Sequence, residues 1–181
     1  MVRSFYCGGS VVGRRSILTA GHCIGSSYNF GILQSSLRVT VGSNRWNVGD
    51  TYRIERNVSH PGYDFFELKN DLGLLITTTD IALYDRVQIV LERQDLPFKS
   101  IYRVVFLNLN ILIFQDGGPI STTLLEIETT TMDAEECAVI MGEAAEELGY
   151  PTVVDPQIEL CIINSPGIGG CNVSIFCGSR H

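Results

Sequence analysis

The 181 residues are 45% hydrophobic and 18% charged, enough apolar material for one globular unit or two small ones with a core. Twenty acidic against thirteen basic residues leave a formal net charge of −7, which argues against nucleic acid and anionic membrane surfaces as partners. No apolar run approaches the ~20 residues needed to span a bilayer, and the 18 glycines among many β-branched and aromatic residues favour strands and turns over helices.

In chain order, Phe5 to Ala20 reads as strand, turn, strand. Gly8-Gly9 and Gly13-Arg14-Arg15 punctuate the apolar runs Ser10-Val11-Val12 and Ile17-Leu18-Thr19-Ala20. Leu37-Arg38-Val39-Thr40-Val41 alternates with period two, as a half-buried strand does, and Gly42-Ser43-Asn44 then turns. Tyr52-Arg53-Ile54-Glu55-Arg56 alternates again. After the turn residues Asn70-Asp71, the short apolar run Leu72-Gly73-Leu74-Leu75-Ile76 suggests a fully buried strand. Residues 80–97 are polar and turn-rich and read as a connection between two halves. One helix is predicted over 133–148. Asp133 is a good N-cap with Glu136 three residues on, Ala134, Cys137, Met141, Ala144 and Leu148 recur at helical spacing, and Gly149 and Pro151 stop it. Many strands and one short helix make an all-β chain with a helical insert.

Cys7, Cys23, Cys137, Cys161, Cys171 and Cys177 are an even set at scattered spacing, which suggests disulfides and an oxidising compartment. The residues from Met1 to Cys7 carry no apolar stretch of the signal-peptide kind, so the sequence before Cys7 reads as incomplete.

Leu18-Thr19-Ala20-Gly21-His22-Cys23 places a His directly before a Cys after an apolar strand. It resembles the histidine motif of chymotrypsin/trypsin-type serine endopeptidases, whose usual fourth residue is Ala where this chain has Gly21. Phe5-Tyr6-Cys7-Gly8-Gly9-Ser10 resembles the family strand whose cysteine pairs with the one at Cys23. Asn70-Asp71-Leu72-Gly73-Leu74-Leu75 resembles the Asp motif, and Thr129 through Cys137 resembles the segment leading to the intermediate helix. Glu159-Leu160-Cys161 resembles the segment holding that helix cysteine's partner, and Gly167, Gly169, Gly170 and Cys171 resemble the stretch before the nucleophile loop.

The resemblance implies a two-barrel trypsin-like fold, with residues 1–95 as the first β-barrel and 96–181 as an incomplete second one. It implies proteolysis through an acyl-enzyme on protein or peptide substrates, secretion, and no cofactor. His22 would serve as general base and then general acid, and Asp71 would orient it. Gly169, two before Cys171, stands where trypsin-like members carry an Asp at the base of the specificity pocket; its identity argues against a strong Arg/Lys preference. Cys7–Cys23–His22 fits no common zinc spacing, so no metal is expected. His60, before Pro61-Gly62, reads as a loop histidine, and Asn57-Val58-Ser59 and Asn172-Val173-Ser174 fit the short glycosylation sequon.

The pattern departs from the family in four places. The Ile-Val-Gly-Gly type segment before the first cysteine is not found ahead of Cys7. Residues 98–115 replace the expected Gly-Trp-Gly stretch, and the one tryptophan is Trp46. Asn172-Val173-Ser174-Ile175-Phe176-Cys177 follows Cys171 where the family has one variable residue and then Gly-Asp-Ser-Gly-Gly-Pro; Ser174 is one residue early and lacks the glycine whose amide helps form the oxyanion hole. The strands and terminal helix that follow the family's serine, and the cysteine that would partner Cys171, are not found either. The expectation is a truncated or mis-spliced member, with Phe114-Gln115 and Val173-Ser174 at points that codons could turn into splice sites, and with no peptidase activity as it stands. The competing expectation is a non-catalytic homologue that binds a partner.

Overall fold

A computed structural model of the chain describes residues 4–26, 28–29, 32–67, 69–90, 101–106, 122–149, 154–155 and 161–163. The chain divides into two compact units, Met1–Glu92 and Arg93–His181.

In the first unit, β1 (Ser10–Val11) and β2 (Ser16–Thr19) form a hairpin closed by mutual backbone hydrogen bonds between Gly13 and Ser16. A six-residue helix, α1 (Gly21–Ser26), follows β2 at once. The small pair β3 (Tyr28–Asn29) and β4 (Ile32–Leu33) leads to β5 (Arg38–Val41), β6 (Asp50–Ser59) and β7 (Gly73–Thr77). Five of these strands make one antiparallel sheet in the order β1-β2-β7-β6-β5. The ten-residue β6 serves two partners in turn: Asp50 to Arg53 pair with β5, and Ile54 to Ser59 pair with β7. The register shifts between Ile54 and Arg56, which puts a bulge at Glu55. A bulge bends its strand and raises the local twist, so the sheet curls between its two ladders.

The core of this unit is Ile17, Ile81 and Val87, with Val11, Val39, Val41, Tyr52 and Leu75 packed against it. The alternation read from Leu37 to Val41 and from Tyr52 to Arg56 thus marks strands that turn one face inward. Two expectations change. Leu72 is exposed rather than part of a buried strand, because its N–H bonds to the Asn70 carbonyl (2.7 Å) and holds it in the turn. On β7 itself Leu75 meets the core while Leu74 and Ile76 point to the other face, so the strand is half-buried. Residues 80–90 are also more than a connection. Ile81, fully buried, and Val87 belong to the core, tied back by the Ile81 N–H to the Arg14 carbonyl (2.6 Å) and by Val90 N–H to the Val11 carbonyl (2.8 Å).

In the second unit, β8 (Ile101–Phe106) pairs antiparallel with β9 (Leu125–Thr131), and β9 with β10 (Ile162–Ile163). β8 falls inside the segment 98–115 that departs from the family motif; residues 107–115 lie outside the described ones. The predicted helix is α2 (Ala134–Leu148). Asp133 caps it, its Oδ1 accepting from the N–H groups of Glu135 (3.0 Å) and Glu136 (3.1 Å). Gly149 ends it in the left-handed conformation that glycine adopts without a Cβ clash. Cys137 is buried, whereas Glu135, Glu143, Glu146 and Glu147 are exposed, so the apolar stripe faces in and the acidic face out.

Candidate active site

Sheet register brings the site together. Thr19 on β2 pairs with Gly73 on β7. The chain leaving β2 and the chain entering β7 therefore emerge from the same end of the sheet, and His22 and Asp71 lie just beyond it. They are 49 residues apart in sequence, and their side chains meet. His22 Nδ1 stands 2.7 Å from Asp71 Oδ2, and the His22 backbone N–H donates to Asp71 Oδ1 at 2.7 Å. A carboxylate only accepts, so Nδ1 carries the hydrogen in this pair. The two side chains keep 26% and 23% exposure, enough for the ring to be reached from solvent.

Local chain geometry holds the carboxylate in place. Asn70 adopts a positive φ of 51°, which asparagine tolerates better than most residues, and its Nδ2 donates to the Gly62 carbonyl (3.0 Å). The His60 N–H bonds to the Leu72 carbonyl (2.8 Å), and His60 Nδ1 accepts from the Gly62 N–H (3.1 Å). His60 thus organises the loop in front of Asp71. Gly73 has no room for a side chain: a Cβ there would fall 2.2 Å from Ile24 Cδ1, so α1 sits directly on the start of β7.

Gly21, where the family motif has Ala, faces the ring of Tyr63. A Cβ at Gly21 would stand 3.1 Å from that ring and 3.2 Å from Asp71 Oδ1. Tyr63 is a neighbour of the site that the sequence did not single out; the turn His60-Pro61-Gly62 ahead of an aromatic residue was the available signal. Its hydroxyl is buried with no hydrogen-bond partner among the described residues. Burial, then the Asp71 and Asp64 carboxylates, raise the Tyr63 phenol above its ordinary pKa of 10.0, so it stays neutral beside the dyad.

Behind the histidine, Cys7 and Cys23 form a disulfide. Cys23 is buried and its Sγ lies 3.4 Å from His22 Nε2. The sulfurs of Cys7 and Cys23 and a ring nitrogen of His22 all lie within 4.8 Å of one another. With both sulfurs joined to each other, the group offers no thiolate to a metal. In the second unit Cys137 and Cys161 form a disulfide, and the Met132 N–H bonds to the Cys161 carbonyl (3.0 Å). Gly169, Cys171, Ser174 and Cys177 lie outside the described residues. The sequon asparagine Asn57 lies on β6 with its Nδ2 buried.

A loop next to the dyad carries exposed aromatic surface. Phe65 and Phe66 meet edge to face at 5.7 Å between centroids, and Leu72 is also exposed. Asp64 orders the loop, its Oδ1 accepting from the N–H groups of Phe66 (2.8 Å) and Glu67 (3.0 Å).

The trypsin family model matches residues 1–148. Achelase-1 of Lonomia achelous is 36% identical over 83 residues, covering 45% of this chain and 37% of its own length. The clotting factor G beta subunit of Tachypleus tridentatus is 33% identical over 86 residues, 46% of this chain and 27% of that protein. Trypsin of Phaedon cochleariae is 30% identical over 84 residues, 46% of this chain and 31% of that protein. The chain thus spans about a third of the length of these curated relatives. The solved structure described as "Structure of GrC" superposes with a TM-score of 0.65 at 21% identity, over 88% of this chain and 63% of that one, which shows a shared fold. With the curled antiparallel sheet and the helix α2, these likenesses establish that the chain is a member of the trypsin family, the chymotrypsin/trypsin-type serine proteases.

Proposed function

We propose that this chain carries the acid–base half of a serine endopeptidase site, with His22 as the proton-transferring base and acid and Asp71 as the group that orients it. The observation that carries this reading is the double contact of Asp71 with His22, one oxygen on the backbone N–H and the other on Nδ1, each at 2.7 Å. Such a grip fixes both ring orientation and tautomer, which is what a base needs before it can take a proton from a hydroxyl nucleophile. The exposed Phe65, Phe66 and Leu72, near Asp71 in the sequence, suit protein or peptide substrates with apolar side chains. Gly169 in place of an acidic residue agrees with that apolar preference. Two disulfides in the described residues favour an extracellular, oxidising compartment.

On the same reading the 181-residue chain does not hydrolyse peptides. Asn172-Val173-Ser174-Ile175-Phe176 follows Cys171, so neither the serine nor the glycine amide of the oxyanion hole is at the family's spacing. Losing a nucleophile from such a triad lowers turnover by roughly a factor of a million. The test is a casein-cleavage assay on the purified chain beside its His22→Gln variant. Background rates in both are expected; a rate that disappears in the variant would overturn the assignment of inactivity. Sequencing the transcript across the codons for Cys171 onward supplies the complementary test. A spliced form with Gly-Asp-Ser-Gly-Gly-Pro after Cys171 restores the full triad, and its product is expected to cleave casein in a His22-dependent way.

A further inference from the structure

The histidine that faces a hydroxyl nucleophile in peptidase chemistry here has a sulfur within reach. Asp71 holds His22 by Nδ1, and the other ring nitrogen, Nε2, lies 3.4 Å from Cys23 Sγ. The two sulfurs of the Cys7–Cys23 bond differ in setting: Cys23 is buried against the imidazole, and Cys7 is only partly covered. A cavity of about 120 Å³ borders both residues, lined also by Tyr6, Gly8, Thr19 and Ile24. We propose that Cys7–Cys23 is an exchangeable disulfide whose opening by low-molecular-weight thiols is assisted by the His22–Asp71 pair.

The direction of attack follows from that asymmetry. Thiol–disulfide exchange needs an accessible sulfur to attack and a leaving sulfur that bears charge easily. An incoming thiolate forms a bond to Cys7 Sγ, and the Cys7–Cys23 bond breaks with its electron pair on Cys23 Sγ. The proton on Nε2 of the imidazolium, whose charge Asp71 balances, passes to or is shared with the departing thiolate. The products are a mixed disulfide at Cys7 and a Cys23 thiol hydrogen-bonded to neutral His22. A second thiolate attacks the external sulfur of the mixed disulfide, expels Cys7 as thiolate and leaves as the oxidised thiol, completing a two-electron reduction. In reverse, Nε2 takes the Cys23 proton and generates the attacking thiolate, so the same three residues form a Cys–His–Asp relay in the reduced chain. Among the described residues, Asp71 and, across Gly21, the Tyr63 phenol are charged or titratable groups near the imidazole, and Asp64 acts on Tyr63. The second disulfide, Cys137–Cys161, has no histidine among its described contacts and serves as an internal reference.

The experiment exposes the intact oxidised chain to 2-mercaptoethanol across pH 5.5–9, with acid quench, alkylation and peptide mass spectrometry to follow each disulfide separately. Each rate is divided by the thiolate fraction of the reagent. The corrected Cys7–Cys23 rate is expected to fall on the order of 10-fold from the acid to the alkaline end of that range, as the imidazole loses the proton it donates, while Cys137–Cys161 stays flat. His22→Gln is expected to remove that fall and to slow Cys7–Cys23 opening at pH 6. A flat corrected profile for Cys7–Cys23 in the wild-type chain overturns the proposal without recourse to any variant. So does a His22→Gln chain that opens Cys7–Cys23 as fast as wild type at pH 6 while its Cys137–Cys161 rate is unchanged.

Discussion

Among the described residues, the buried apolar side chains of the first unit are Ile17, Cys23, Ile24, Ile81 and Val87; those of the second are Cys137 and Val154, with Thr129 and Thr131 buried on β9. The first unit therefore rests on a packed core under a five-stranded sheet. The described part of the second rests on a three-stranded ladder, a capped helix and a covalent link from that helix to the residue before β10. Burial works on the folded state through apolar area removed from water, whereas a cross-link acts mainly by restricting the unfolded chain. Damage to the two units should differ accordingly.

The largest effect is expected from Ile81→Ala, which opens a cavity at a fully buried position and costs about 4 kcal/mol. Trp46, the single tryptophan, lies in the first unit and reports on it by fluorescence during urea unfolding. Its midpoint should fall sharply, whereas an unchanged midpoint would show that Ile81 is not part of a cooperative core. Next comes the double change Cys137→Ser/Cys161→Ser, which frees a link of sequence separation 24 and costs about 3 kcal/mol. Hydrogen exchange should show α2 amides losing protection while the Trp46 transition stays where it was. A shift of both would mean that the units unfold together. Asp133→Ala removes both capping bonds at the start of α2 and costs about 1 kcal/mol, read from the same α2 amides.

The smallest change in stability is expected from Tyr63→Phe. The hydroxyl is buried without a partner among the described residues, so its loss leaves neutral-pH stability within about 1 kcal/mol of the starting chain. The alkaline limb distinguishes the two. The Tyr63 phenol is raised in the folded chain, so above about pH 10 the unfolded chain gives up its proton first and stability declines as pH rises. Tyr63→Phe should flatten that decline, and urea midpoints at pH 9 and 11 would register it.

The sequence revealed elements where one rule acted locally. Period-two alternation marked β5 and part of β6, and Asp133, the stripe from Ala134 and the stop at Gly149 marked α2 almost to the residue. It was poorer where tertiary contacts decide. Gly21 to Ser26 has little helix propensity, with glycine at both Gly21 and Gly25; α1 is held by the Asp71 bond to the His22 N–H, the Cys7 link and the fit of Ile24 over Gly73. Ile81 and Val87 were hidden in a polar stretch because isolated apolar residues in a turn show no period. Asp71 was legible by its motif, but its contact with His22 depends on the register of β2 against β7, which no local pattern contains. Tyr63 was missed because its place beside Gly21 depends on how the loop folds back.

That register also sets an order in time. Strands β2 and β7 are separated by the whole of β3 to β6, and Asp71 cannot reach His22 until Gly73 to Thr77 have zipped onto Ser16 to Thr19. Pairing at such a separation must first overcome the entropy of closing a long loop, which makes it a slow step. A nascent chain leaving the ribosome therefore carries His22 without its Asp71 contact through most of the synthesis of its first unit. The His22–Asp71 contact appears only once β7 has joined β2.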